Sequence, residues 1–295
     1  MRRILTASIA AAALLSAGCV AARGLADPVA PSAIQSDARE IAYGLAPLQR
    51  LDFYPAAAEN APLIVFVHGG GWKRGDKGNA TGEAKITHFH ARGYAVASLN
   101  YRLVPAATVE QQAADIANGL AWLVGHAREL GIDPSRIVLM GHSAGAHLAA
   151  LVGTDPQYLR AAGLSMDALR GVVLLDGAAY DVPAQLGDGP RIMHDTYRQA
   201  FGDDPVRQRA LSPFHHAASP NAPAFLILHV DRDDGKRQSE GLARVLTGAG
   251  TDASVRALPG RALRGHMQIN RDMGNADYPG TAIVDDWIAA RLRAS

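Results

Sequence analysis

The sequence predicts an α/β protein: a mostly parallel central sheet flanked by helices on both faces. Three observations carry this reading. Short apolar runs at 63–67, 137–140, 172–175 and 224–230 have the length and composition of strands covered on both sides. Helical segments separate these runs through the second half of the chain, the order that builds a parallel sheet. The residues able to do chemistry fall just past the carboxyl ends of the runs, where such sheets bind ligands.

The chain has 295 residues, 48% of them hydrophobic. That is ample for one large α/β domain, which we place at 46–295. Its 29 basic and 28 acidic residues are dispersed and nearly cancel to a net +1, so no basic surface for nucleic acid is expected. Arg2 and Arg3 precede an apolar run at 4–15, which is too short to span a bilayer comfortably. Small residues follow, so 1–22 reads as a bacterial secretory signal, and export to the periplasm or beyond is expected. The run Leu15-Ser16-Ala17-Gly18-Cys19 resembles a lipobox, in which the cysteine is lipidated and tethers the protein to a membrane. Ser16 stands where that pattern usually has Leu, and ordinary cleavage near Ala22 or Ala26 is the alternative. Cys19 is the only cysteine, so the mature domain carries no disulfide. Residues 23–45 read as a flexible tether, with an Ala-, Pro- and Gly-rich stretch and no periodicity.

Along the domain, 48–54 alternates weakly and ends at Pro55, an early strand. The continuous run 63–67 is a central strand that stops at His68-Gly69-Gly70-Gly71-Trp72. A polar loop at 73–81 leads to a helix at 86–92, closed by Gly93, and a strand at 94–99 follows. A long helix spans 109–130, with Ile116, Leu120, Leu123, Val124 and Leu130 close to helical spacing. Gly131 ends it, and Asp133-Pro134 turns the chain into the strand at 137–140. The strand at 172–175 runs into Asp176 and Gly177. Residues 180–220 lack clean periodicity. They read as an insertion over the carboxyl edge of the sheet and as a candidate part of a substrate site. A strand at 224–230, a helix at 238–249, a last strand at 254–258 and a terminal helix at 282–292 complete the chain.

The motif at the centre is Gly141-His142-Ser143-Ala144-Gly145, a G-x-S-x-G between an apolar run and an Ala-rich helical segment. That context is what a nucleophile elbow requires. A serine hydroxyl attacks poorly unless a base takes its proton. A tight strand-to-helix turn projects the hydroxyl beyond the sheet, and small residues on either side relieve the crowding. The helix that follows aims free N–H groups at the place where negative charge develops.

A serine nucleophile needs a base and a group to orient that base. His266 follows the last strand, preceded by Gly265, and its topological position selects it from eleven histidines. His142 and His147 flank the elbow, and packing is expected for His147. His215 and His216 lie in the insertion. The acid is expected after the strand at 224–230, in His229-Val230-Asp231-Arg232-Asp233-Asp234-Gly235. Asp233 or Asp234 is the preferred residue, since both lie deeper in the loop than Asp231. Asp176, after the preceding strand, is a further candidate. The N–H groups of Gly70, Gly71 and Ala144 are the expected oxyanion donors, because glycines let the backbone approach substrate closely. Gly-Trp-Lys-Arg-Gly does not match a phosphate loop. No metal-binding spacing appears, so neither a metal nor a cofactor is expected.

His68-Gly69-Gly70-Gly71-Trp72 together with Gly141-His142-Ser143-Ala144-Gly145 resembles the α/β-hydrolase superfamily. It is most similar to the branch that includes hormone-sensitive-lipase-like and BD-FAE-type carboxylesterases, from about Leu48 to the C-terminus. The resemblance implies the α/β-hydrolase fold, His266 as base, and an acid in a loop written H-G-x-x-D. That loop maps His229 to Asp233, with Val230 in place of glycine and Asp234 as an extra neighbour. It also implies short-chain carboxylic esters as substrates, sometimes acetylated or feruloylated sugars, or N-formylkynurenine in some members. A non-catalytic binder on the same scaffold is the contrasting possibility, although all the catalytic residue types are retained. A neutral histidine base implies activity that declines below about pH 6.5.

Overall fold

The computed structural model describes residues 38–78, 83–218 and 220–293. The expected signal and the tether as far as residue 37 lie outside them. Residues 38–45, also expected as tether, instead contain strand β1 (Arg39–Ala42). It pairs antiparallel with β2 (Arg50–Tyr54), and backbone pairing in a sheet edge needs no hydrophobic periodicity to announce it. Next in chain order come β3 (Ala61–Val67), α1 (Glu83–Ala91), β4 (Ala95–Leu99), α2 (Val109–Gly125) and α3 (Ala127–Leu130). After these follow β5 (Ile132–His142), α4 (Ala144–Thr154), α5 (Pro156–Ala161) and β6 (Gly171–Leu175). The insertion holds α6 (Val182–Asp188), α7 (His194–Phe201), α8 (Pro205–Ala210) and α9 (Pro213–His216). The chain closes with β7 (Ala224–Asp231), α10 (Asp233–Gly248), β8 (Asp252–Arg261), α11 (Ala262–Asp272) and α12 (Pro279–Leu292).

The eight strands form one sheet in the order β1-β2-β4-β3-β5-β6-β7-β8. β1 and β2 are antiparallel to their neighbours, and every pairing from β4 to β8 is parallel. The mostly parallel sheet read from the sequence is therefore present. The alternation along β3 shows why its run is continuously apolar. Leu63, Val65 and Val67 belong to a core shared with α2 and α4, while Ile64 and Phe66 belong to a second core shared with α1, α11 and α12. Helices thus cover both faces, and each side chain from Leu63 to Val67 has an apolar partner layer.

Local chemistry sets the helix boundaries. Thr108 caps α2 by accepting from Gln111 N at 3.3 Å, and Thr108 N donates back to Gln111 Oε1 at 2.9 Å. The long helix expected at 109–130 breaks at His126 into α2 and α3, and Gly131 stops α3 in a left-handed conformation with φ 67°. Asp133-Pro134, read as a turn, lies inside β5. There the pairing with β3 shifts register between Ala61 and Leu63, so the segment stays in the sheet as an irregularity. α11 was not apparent from the sequence. His266, expected on a loop, sits in its second turn.

Candidate active site

Ser143 lies between β5 and α4 with φ 56° and ψ −121°, a conformation that non-glycine residues rarely adopt. The surrounding sequence makes it possible. A Cβ on Gly145 would stand 2.2 Å from the Val67 carbonyl oxygen, and one on Gly141 would stand 2.2 Å from the Gly145 carbonyl oxygen. Both positions therefore exclude a side chain, and the chain can turn sharply between strand and helix. Ser143 N donates to Leu175 O at 3.1 Å, which fastens the elbow to the end of β6. α4 begins at Ala144, whose N–H has no carbonyl within its own helix to bond.

His266 comes from α11, beyond the end of β8. Its Nε2 lies 3.0 Å from Ser143 Oγ and its Nδ1 lies 2.6 Å from Asp176 Oδ2. An ionised carboxylate only accepts, so Nδ1 carries the proton and the Nε2 lone pair faces the serine hydroxyl. The Asp176 side chain is fully buried and that of His266 is 14% exposed. Burial pushes the Asp176 carboxyl up. The hydrogen bond from His266, the charge of Arg232 and the hydrogen bond from Val230 N outweigh this, and the net displacement is below the usual carboxylate range. His142 floors the arrangement, with its Nε2 donating to the His266 carbonyl at 2.9 Å. Burial, and then the neighbouring His266, hold the His142 imidazole well below its ordinary value, so it stays neutral.

The expected acids do not meet the histidine. Asp231 is exposed and pairs with Arg261 at 3.0 Å. Asp233 opens α10 and is exposed. Asp234 is buried but spends its Oδ2 on Arg232 at 2.5 Å and on Gln185 at 3.0 Å. The preference for Asp233 or Asp234 is thus corrected to Asp176. The cause is topological. β6 lies directly beside β5, the elbow strand, and Asp176 is the first residue past its end. α10 begins within two residues of β7 and carries Asp233 and Asp234 into its first turn. The signal in the sequence was the adjacency itself, an aspartate that directly ends an apolar run next to the elbow.

The glycine loop after β3 abuts the elbow: a Cβ on Gly69 would come 3.0 Å from Ser143 Cβ. Its carbonyls are pinned in turn. Tyr101 Oη donates to His68 O at 2.9 Å, His68 Nδ1 donates to Gly69 O at 2.7 Å, and Arg74 N donates to Gly70 O at 3.2 Å. In a trans peptide the next N–H points opposite to the carbonyl, so these bonds fix the directions of the Gly70 and Gly71 N–H groups. Trp72 is buried under the loop, 4.8 Å from Phe201 and 6.0 Å from Tyr197 between ring centres. Thr196 and Met193 approach Gly71, so the insertion lies against the glycine loop. His147 is a packed residue, buried on α4, with Nδ1 accepting from Trp72 Nε1 at 3.2 Å and Nε2 donating to Leu211 O at 2.9 Å. Burial pushes it down to about 4. In the insertion, His216 Nε2 donates to Ala210 O at 2.8 Å and His215 lies 3.8 Å from Asp181. Among the described residues no group of three His, Cys, Asp or Glu side chains is placed to hold a metal ion.

This sheet order, with a strained serine after β5 and a histidine after β8, is that of an α/β-hydrolase. Residues 51–167 match the BD-FAE family model. Esterase LipC of Mycobacterium tuberculosis is 29% identical over 206 residues, covering 66% of this chain and 51% of LipC. Isoprenylcysteine alpha-carbonyl methylesterase ICME of Arabidopsis thaliana is 40% identical over 114 residues, covering 38% of this chain and 26% of that protein. The chain thus spans about half the length of the first of these curated relatives and a quarter of the second. Among solved structures, esterase B from Lactobacillus rhamnosis superposes with a TM-score of 0.72 at 23% identity, covering 88% of each chain. A butyrate-bound thermophilic esterase of Thermogutta terrifontis gives 0.68 at 25% identity, covering 88% of this chain and 96% of that one. The chain has the α/β-hydrolase fold, and its first half is similar to the BD-FAE family and to these esterases.

Proposed function

We propose that the protein is a serine hydrolase that cleaves short-chain carboxylic esters through an acyl-enzyme. One observation carries this reading: His266 reaches Ser143 Oγ with one ring nitrogen and the buried Asp176 with the other. Ser143 is the nucleophile, His266 the base and Asp176 the acid. His266 Nε2 takes the hydroxyl proton as Ser143 Oγ bonds to the ester carbonyl carbon. The carbonyl oxygen gains the negative charge, and the N–H groups of Gly70, Gly71 and Ala144 receive it. Asp176 stabilises the imidazolium through Nδ1–H. Nε2–H then protonates the departing alcohol as the tetrahedral centre collapses to acyl-Ser143. Water, deprotonated by the same nitrogen, attacks this ester, and the acid is released as Nε2–H returns its proton to Ser143 Oγ. The packing of Trp72, Thr196 and Met193 around the glycine loop supports a small acyl group, as does the butyrate-bound relative.

The test is hydrolysis of p-nitrophenyl esters of increasing chain length, beside N-formylkynurenine, by wild type and Ser143→Ala. We expect acetate and butyrate to be the best substrates and Ser143→Ala to lose about five to six powers of ten. Peptide mapping after fluorophosphonate labelling should find the adduct on Ser143. A label elsewhere, or a wild type silent on the whole panel, overturns the proposal. Preference for N-formylkynurenine would keep the machinery and reassign the substrate to arylformamides. We further propose export, with Cys19 as a lipidation site. Palmitate incorporation that is lost in Cys19→Ala supports the tether, and an unlipidated secreted chain selects ordinary cleavage.

A further inference from the structure

The acid of the proposed triad is itself held by a residue outside the triad. Arg232 fills the link between β7 and α10, with its side chain 14% exposed. Its guanidinium works as a three-way fork. Nε donates to Asp176 Oδ2 at 3.2 Å, Nη2 to Gly177 O at 3.0 Å and Nη1 to Asp234 Oδ2 at 2.5 Å. Asp176 Oδ2 is the same oxygen that accepts from His266 at 2.6 Å, while Oδ1 accepts from Val230 N at 3.1 Å. Asp234 is anchored in turn by Gln185 Nε2 at 3.0 Å, and Gln185 Oε1 accepts from Ala179 N at 3.0 Å. A planar guanidinium against a carboxylate restricts that carboxylate more than a point charge does. Two carboxylates share this buried cation, so none of the three charges is left unpaired.

We propose that Arg232, seated by Asp234, is a positioning residue that fixes the Asp176 carboxylate and sets how strongly it supports positive charge on His266. This rests on the triad proposed above. The other titratable groups around the pair come from several elements. His142 at the end of β5 is neutral, held so by burial. Tyr180 after β6 and Tyr278 before α12 are pushed up by burial and stay neutral. Lys85 on α1, which burial brings down to about 7, acts on His142. Arg232 is the cation that bears directly on Asp176, and Asp234 bears on Arg232.

The cation opposes the imidazolium, and Asp234 offsets the cation. Removing each should therefore move the acid limb of kcat/KM in opposite directions. In Arg232→Met the limb should rise by about one pH unit, with kcat down about 10- to 100-fold as Asp176 loses its clamp. In Asp234→Asn, Arg232 is less neutralised, so the limb should fall by about half a unit, with kcat within about tenfold of wild type. Arg232→Lys keeps the charge but not the fork, so its limb should lie nearer wild type while kcat is intermediate. An arginine that only holds the loop together would change yield and melting temperature without this opposition.

The experiment is the pH profile of p-nitrophenyl acetate hydrolysis from about pH 4 to 9, with rates normalised to sites titrated by fluorophosphonate. Opposed limb shifts support the inference. An active wild type whose limb is matched by Asp234→Asn and Arg232→Lys, with kcat also unchanged, overturns it and leaves the triad standing. These two variants decide the question even if Arg232→Met does not fold. An inactive wild type fails the hydrolase proposal, and this inference falls with it.

Discussion

Replacing Asp176 with asparagine separates the carboxylate that meets His266 from the acids favoured by the sequence pattern. The amide is nearly isosteric and can still accept from His266 Nδ1, which now lies 2.6 Å from Asp176 Oδ2. What it loses is the charge that faces the imidazolium in the transition state. Opposite charges about 3 Å apart attract by about 5 kcal/mol at an effective dielectric of about 20. At about 1.4 kcal/mol per decade that is between three and four powers of ten in rate. Arg232 shares the same oxygen and already neutralises part of its charge, so a loss of about a thousandfold in kcat is expected. The amide can also donate to Nδ1 and hold the wrong tautomer, which acts in the same direction. Asp233→Asn changes an exposed side chain and should stay within about twofold of wild type. The assay is kcat/KM for p-nitrophenyl acetate on proteins of matched melting temperature. If Asp176→Asn keeps more than about a tenth of wild-type activity while Asp233→Asn loses a hundredfold, the acid belongs after β7 and the reasoning is wrong.

Three further outcomes follow from the packing. Gly145→Ala drives a Cβ to 2.2 Å from the Val67 carbonyl and 2.4 Å from that of His68. It should destabilise by about 3 kcal/mol or more, seen as a melting temperature lower by about 6–12 °C or as a chain that does not accumulate folded. His147 is fully buried and brought from 6.5 down to about 4. The unfolded chain binds a proton across that window and the folded chain does not. Its contribution is therefore complete above pH 6.5 and is lost as pH falls toward 4, by about 3 kcal/mol in all. His147→Gln, which can still accept from Trp72 and donate to Leu211, should flatten the urea-derived stability profile between those pH values. An unchanged slope would mean that another group carries the acid sensitivity. Thr108→Ala removes the α2 cap and should cost about 1 kcal/mol, or 2–4 °C of melting temperature, with kcat/KM unchanged.

The sequence by itself determined what depends on neighbours in the chain. Continuous apolar runs named the buried strands because a strand covered on both faces tolerates no alternation. Gly141, Ser143 and Gly145 named the elbow, and its spacing is the steric requirement that the structure displays. The approach of His266 to Ser143 was legible from chain order alone. The tertiary structure decided what depends on sheet order and on where a helix begins. Which aspartate meets His266 could not be read from the loop after β7, because three carboxylates there are equivalent until α10 turns two into its first turn and Arg261 takes the third. Asp176 wins because parallel pairing sets the end of β6 beside Ser143. Arg232 has no signature at all in the sequence. Its role exists only because β6, β7 and α10 bring Asp176, Gly177 and Asp234 within reach of one guanidinium.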